Sequence, residues 1–452
     1  MPTANPRRAA FDILLRIEKE RSFADILIDR ELSRGLLKGP DRGLLTELVY
    51  GVLRRQGTLD HIISHCSSQR LDRLERAVHL LLRIGLYQAF FLDRVPVSAA
   101  VNETVKLAHD IVPRATGFIN AVLRRADRER DSIPYPDRGS DPAGFISTRH
   151  SAPSWIIADW IGQLGPDEAE ALAEAMLATP PLTVRVNTLK TAREELISRL
   201  AAEGVTAHVA RFSPFALHLS GSVQLGTLPS FREGLFTVQD ESSQMAAILL
   251  APRPGERVMD VCAAPGGKTT HLAQLMEDRG TILAGDAFPR KLHLIEDTAA
   301  RLGITIIRTT RLDAAKPLTF PEGMEFDRIL VDAPCSGLGV LRRNPEGKWW
   351  KTRQNIEELA VKQKAILRHA AGCLAKEGRL LYATCSTAEE ENERVVDDFL
   401  SRNPCFMLED LREIYPEIGK LFTERGCFRS WPHRHGMDGF FAARLRRTEK
   451  FS

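Results

Sequence analysis

Over residues 1–128 apolar side chains recur three and four positions apart, as in Ala10-Ile13-Leu14-Ile17, Leu44-Leu48-Val52 and Leu74-Val78-Leu81-Leu82. That is the period of helices with one buried face. Pro and Gly are scarce inside these runs, so the first part of the chain reads as a compact all-helical domain. Asp, Pro, Gly and Ser accumulate over residues 131–142 and mark a linker. Helical patterns follow at 156–164 and 167–177, then an alternating strand at 182–186, a helix at 192–202 and a strand near 206–209. That order predicts a small α/β platform. From about Phe236 to Leu445 strands alternate with helices. The strands are expected at 257–261, 281–285, 304–308, 328–331 and 379–383, with helices at 269–277, 291–302 and 356–374. Such alternation predicts a mostly parallel, doubly wound sheet with helices on both faces. The chain is therefore expected to divide into residues 1–140, 141–235 and 236–452.

Composition changes this picture little. The 452 residues are 43% hydrophobic and 27% charged, as in globular proteins and unlike disordered or fibrous ones. The net charge of +3 is uneven: residues 1–150 hold 24 Lys+Arg against 19 Asp+Glu, the remainder 38 against 40. Arginines cluster at Arg54-Arg55 and at Arg124, Arg125, Arg128 and Arg130, either as a solvated helix face or as contacts to a polyanion such as RNA. No secretory signal is read at the N-terminus. The most apolar stretch, 80–92, is interrupted by Arg83 and Gln88, so no membrane span is expected. Seven cysteines without CxxC or Cys/His spacing argue against a disulfide framework and a metal site, and for a reducing, cytoplasmic setting.

The strongest chemical signal is Asp260-Val261-Cys262-Ala263-Ala264-Pro265-Gly266-Gly267-Lys268-Thr269, a strand end running into a helix. Glycines let backbone approach a ligand, and a helix N-terminus offers free N–H groups. Two readings compete. A nucleotide-phosphate loop has its ending in Gly267-Lys268-Thr269, and Asp332 could play the magnesium-binding strand-end acid, but the loop carries Cys262 where it needs its first glycine. Against it, Asp286 ends the next strand, where an acid accepts from ribose hydroxyls. Asp313 follows the third strand and would flank an adenine. A series of strand-end carboxylates suits a nucleoside without phosphates, such as S-adenosylmethionine with its positive sulfonium.

Two cysteines also sit at strand ends, in Asp332-Ala333-Pro334-Cys335-Ser336-Gly337 and Thr384-Cys385-Ser386. Cys373 reads instead as a small buried hydrophobe. A thiolate at the ligand edge can add to cytosine C6, turning C5 into an enamine carbon able to take a methyl group. Either cysteine could attack. Methylation of an exocyclic amine is disfavoured, because the Asn/Asp-Pro-Pro-aromatic loop it needs is missing.

These motifs together resemble the RNA 5-methylcytosine methyltransferases of the Nop2/Sun family. Residues 240–244, Arg343-Asn344-Pro345 and Asp438-Gly439-Phe440-Phe441 agree with that family, and residues 41–55, 82–105 and 118–125 resemble NusB-like domains. The resemblance implies an all-α NusB-like N-terminal domain, the α/β platform, and a C-terminal Rossmann-like class I methyltransferase domain. It implies S-adenosylmethionine contacts at Cys262, Ala263, Ala264, Pro265, Gly266, Gly267, Lys268, Asp286, Asp313 and Asp332. It places the nucleophile at Cys385 and product release at Cys335, with Asp332 also beside the base. It further implies one cytosine of 16S rRNA as target, on naked RNA before subunit assembly, with neither DNA nor a membrane expected and no oligomeric state implied. A different RNA (23S rRNA or tRNA) and a non-catalytic RNA-binding factor are the alternatives.

Overall fold

The computed structural model describes residues 5–221, 223–321 and 324–448. Two compact units emerge: one spans residues up to Thr179 together with Leu341–Trp350, the other Pro180–Val340 with the chain from Lys351 onward.

The first unit is helical, with helices at Pro6–Glu20, Ala24–Ser33, Pro40–Cys66, Arg76–Phe91, Val97–Ile111 and Thr116–Arg128. The periodic positions face inward: Ala10, Ile13, Leu14, Ile17, Leu48, Val52, Val78, Leu81 and Leu82 are all buried, and Leu44 and Leu74 pack at the margin. Helix entry is locally encoded where Asn5 accepts from Arg7 N at 2.9 Å ahead of Pro6. Inside, the Arg83 guanidinium is held by Asp60 and Glu18, at 2.6 Å from each.

The boundary expected at 140 falls inside this unit. The loop at 133–141 is irregular as its composition suggests, but helices Pro142–Arg149, Ser154–Leu164 and Pro166–Ala175 continue the same unit. Leu341–Trp350 joins it as well: Lys348 donates to Arg54 O at 2.6 Å, and Glu346 accepts from Ala24 N at 3.1 Å. Arg54 is thereby committed to the interior, donating to Thr179 Oγ1 at 3.1 Å and Arg342 O at 3.3 Å.

The second unit holds two sheets. The smaller is antiparallel, ordered β2-β3-β1-β4, from β1 (Leu182–Val186), β2 (Thr206–Val209), β3 (Ala216–Ser220) and β4 (Phe236–Val238). Its core of Val184, Val186, Leu217, Leu219 and Phe236 is covered by Leu196 and Leu200 from the Arg193–Ala202 helix. The platform boundary at 235 therefore cuts off β4, which pairs with β1 through Val184↔Val238. β1 also differs from a half-exposed strand, since its polar residues Thr183 and Arg185 are as buried as its apolar ones.

The larger sheet contains β5 (Arg257–Asp260), β6 (Thr281–Asp286), β7 (Ile307–Arg311), β8 (Phe326–Asp332), β9 (Leu374–Thr384), β10 (Phe406–Leu408), β11 (Phe428–Ser430) and β12 (Phe440–Arg447). Its order is β10-β12-β9-β8-β5-β6-β7, with β11 paired to β12. Strands β5 to β9 run parallel, while β12 enters antiparallel between β9 and β10. The five expected strands are present. The third starts three residues later than expected, and the helix expected to 374 stops at Ala371, leaving Cys373 in the turn before β9. Because β6 lies on one side of β5 and β8 on the other, the order reverses at β5, and a crevice opens there beyond the carboxyl ends. Among the described residues no helix is long and apolar enough to cross a membrane.

Candidate active site

A cavity of about 290 Å³ occupies that crevice. Cys262, Ala264, Lys268, Asp286, Asp313, Asp332, Cys335 and Cys385 all line it, contributed by the loops after five successive parallel strands. Ala263, Pro265, Gly266 and Gly267 shape the turn without lining the cavity. Gly266 has φ +103°, and a Cβ there would lie 3.1 Å from Ile295 Cα, so glycine lets the turn reverse tightly into the Gly267–Leu275 helix.

Asp286 and Asp313 are oriented by their own loops, and Asp332 by the helix that follows β5. Asp286 accepts from Phe288 N at 2.9 Å, Asp313 from Ala315 N at 3.3 Å, and Asp332 from Lys268 Nζ at 2.6 Å. Burial alone would lower the Lys268 ammonium, but the charge and hydrogen bond of Asp332 hold it above its usual range. Beneath the turn, Asp260 is fully buried and accepts from Thr269 Oγ1 at 2.7 Å. Burial pushes its carboxyl up to about 7, against that hydrogen bond.

The two cysteine loops meet because β8 and β9 are adjacent and in register, Asp332 opposite Ala383. Cys335 Sγ and Cys385 Sγ lie 3.2 Å apart as free thiols. The hydrogen bond with Cys385, burial, and the carboxylates of Glu391 and Asp332 together push the Cys335 thiol well above its ordinary value.

Several residues around this pair escape sequence reasoning. Glu391 is fully buried and accepts from Ser336 N at 2.8 Å, Gln363 Nε2 at 3.0 Å and the hydroxyls of Ser336 and Ser386. It thus ties together the residues that follow both cysteines. Its only signal is an acidic run, Glu389-Glu390-Glu391, which reads as solvated surface. Gly339 donates its N–H to Cys385 O at 2.9 Å, and a Cβ there would stand 2.1 Å from Gly439 O. Arg185 reaches from β1 to Gly267 O at 2.6 Å and Thr270 Oγ1 at 3.0 Å, bracing the start of the helix after the turn. Phe288, Lys291 and Lys362 also line the cavity, and Phe440 lies 5.3 Å beneath Lys268 Nζ.

The chain is similar to known proteins along most of its length. The 16S rRNA methyltransferase RsmB/F family matches residues 247–446, the NusB family residues 4–128, and the RsmF/B-like ferredoxin-like domain residues 152–226. A probable ribosomal RNA small subunit methyltransferase B of Bacillus subtilis is 36% identical over 99% of the chain and all of its own length. Among solved structures, PH0851 is 32% identical with a TM-score of 0.82, covering 99% of both chains. NSun6 from Pyrococcus horikoshii, solved with the S-adenosylmethionine analogue SFG, is 26% identical with a TM-score of 0.58 over 66% of this chain and 99% of its own.

Proposed function

The chain belongs to the 16S rRNA methyltransferase RsmB/F family, and on that footing we propose that it methylates C5 of one cytosine in 16S rRNA through a covalent adduct between a cysteine and C6. It is an S-adenosylmethionine-dependent RNA methyltransferase. The observation that carries the C5 reading is the pair of thiols 3.2 Å apart on the wall of the same cavity as Asp286, Asp313 and Asp332. The cavity suits the cofactor: strand-end acids favour a phosphate-free nucleoside with a positive sulfonium, and Lys268 of the 262–268 turn is already paired to Asp332. The cofactor supplies an electrophilic methyl group.

The remaining work belongs to the chain. Asp286, with one oxygen held by Phe288 N, turns the other to the ribose hydroxyls, and Asp313 flanks the adenine. The 262–268 turn and Asp332 hold the methionine end. Cys385 adds as a thiolate to C6, while Asp332 holds the protonated N3 of the cytosine. C5 then takes the methyl group as the sulfur–methyl bond breaks. The adduct removes from Cys335 the hydrogen bond that most strongly raises its thiol, freeing it to help strip the C5 proton. The C5–C6 double bond re-forms as the C6–S bond breaks, and Cys385 leaves as a thiolate. One C–H and one S–C bond are exchanged for a C–C bond and a released proton. C6 is reached only on an unstacked base, and the family resemblance makes naked 16S rRNA, before the subunit assembles, the proposed target.

Labelled S-adenosylmethionine offered with isolated 16S rRNA, 23S rRNA, tRNA and assembled small subunits tests this reading. The expected product is 5-methylcytosine at one position of free 16S rRNA. Label confined to tRNA or 23S rRNA, or found on an exocyclic amine, overturns it.

A further inference from the structure

The helical unit contains a second cavity, of about 590 Å³, to which neither the cofactor nor the cysteines contribute. It opens between the Pro40–Cys66 helix, the end of Arg76–Phe91, the loop bearing Tyr135, and the Pro142–Arg149 and Pro166–Ala175 helices. Its size is that of a small-ligand site. Two guanidiniums line it, and both are idle. Arg55 lies 4.2 Å over the Phe91 ring and Arg149 5.8 Å over Phe145, yet neither side chain makes a hydrogen bond or ion pair among the described residues. Arg55 is half-buried, and its ionisation is lowered first by that burial and further by the charge of Arg149. Two crowded cations with up to ten unused N–H donors form a site for an anion.

The neighbours narrow the choice. His150 is engaged by Glu170 at 3.4 Å, and Glu170 is itself held by Arg138 at 2.8 Å, so neither competes for the arginines. Glu174, whose charge partly offsets the crowding at Arg55, makes no side-chain hydrogen bond or ion pair among the described residues and stands on the wall as an acceptor for an amino group. Tyr135 is 36% exposed and packs at 5.2 Å from His61, presenting an aromatic face at the rim. Two guanidiniums, an exposed ring and a single acceptor match one nucleotide of unpaired RNA: a phosphodiester on the arginines, a base against the ring, and an exocyclic amine on the carboxylate. In a duplex the base face would be covered.

We infer that this cavity is a single-stranded RNA subsite, in which Arg55 and Arg149 hold a backbone phosphate and Tyr135 receives a base. The inference rests on the reading of an RNA substrate given above. Fluorescence anisotropy of the full chain with a labelled 16S rRNA transcript, titrated over salt, is the test. Arg55→Gln and Arg149→Gln are each expected to weaken binding about tenfold. The double variant should also lower the log K against log[salt] slope by about one to two. Tyr135→Ala should weaken binding with the slope unchanged. The control Arg94→Gln, exposed and outside the cavity, should do neither. Calorimetric S-adenosylmethionine affinity should be the same in all variants, and methylation of 16S rRNA by the wild-type chain separately checks the parent reading. Wild-type affinity and slope in the double variant overturn the inference. So does an equal loss in Arg94→Gln.

Discussion

Glu391 offers the sharpest test of how the site is assembled, because one carboxylate serves both cysteine loops. It accepts from Ser336 N, Gln363 Nε2 and two serine hydroxyls, and none of these donors has water as an alternative partner. Glu391→Ala leaves several buried donors unsatisfied. Single charge-assisted bonds are worth about 1.5–3 kcal/mol, but the charge no longer has to be buried, and breaking such a network typically costs about 3–5 kcal/mol in total. At roughly 2–4 °C per kcal/mol for a domain of this size, Tm should fall by about 10 °C. Glu391→Gln keeps one acceptor and lets the hydroxyls turn to accept from the new amide, so its cost should be about 1–2 kcal/mol. Activity should be hit harder than stability. A displacement of about 1 Å between the sulfurs is enough to lower the chemical step about a hundredfold. Single-turnover methylation at saturating RNA and cofactor, thermal melts and RNA titrations on wild type, Ala and Gln variants measure all three quantities. The expected pattern is a large loss in kcat, little change in KM for RNA, and partial rescue by Gln. If the Ala variant keeps wild-type kcat, or loses it only in proportion to unfolded protein, Glu391 does not position the cysteines and the reasoning fails.

Other outcomes follow from the same geometry. Cys385→Ala should abolish activity and form no adduct, whereas Cys335→Ala should methylate once and accumulate a covalent protein–RNA complex on a denaturing gel; the reverse pattern would swap the roles. Asp286→Ala should weaken S-adenosylmethionine by about 1.5–3 kcal/mol in calorimetry through loss of charge-assisted bonds to ribose, and unchanged affinity would refute the cofactor pose. For Asp260, the folded carboxyl titrates near 7 and the unfolded one near the ordinary value of about 3.9. Between those values the folded state binds the extra proton, so stability falls as pH rises and levels off above the folded value. Asp260→Asn removes that slope. The melting advantage of the variant should therefore grow between about pH 4 and pH 7 by roughly 1.4 kcal/mol per unit at most; a pH-independent difference would refute the assignment.

The lining of the crevice was legible along the chain because it depends on strand order alone. Once apolar strands alternate with helices, right-handed crossovers make the strands parallel and bring their carboxyl ends to one edge. Cys262, Asp286, Asp313, Asp332, Cys335 and Cys385 each follow a strand, so they line one cavity. The helical N-terminal half was equally readable, since a 3.6-residue period states which face is buried.

What periodicity could not supply is contact between distant segments. Thr183 and Arg185 alternate with apolar residues as in a half-solvated strand, yet both are buried, with Arg185 on the helix that starts at Gly267. Glu391 sits in an acidic run that looks solvated, and only hydrogen bonds from Gln363 and from two serines 50 residues apart make its burial tolerable. The compact helical unit runs on past 140 to Thr179 and takes in Leu341–Trp350, because membership of a unit is decided by which side chains pack together rather than by composition. Local sequence determined the elements and the residue types at their ends, which are set by backbone sterics and the period of burial. The 3.2 Å approach of the two sulfurs, the clamp that holds it and the idle arginines of the helical cavity were decided by tertiary packing, where the energy lies in satisfying groups that no local pattern brings together.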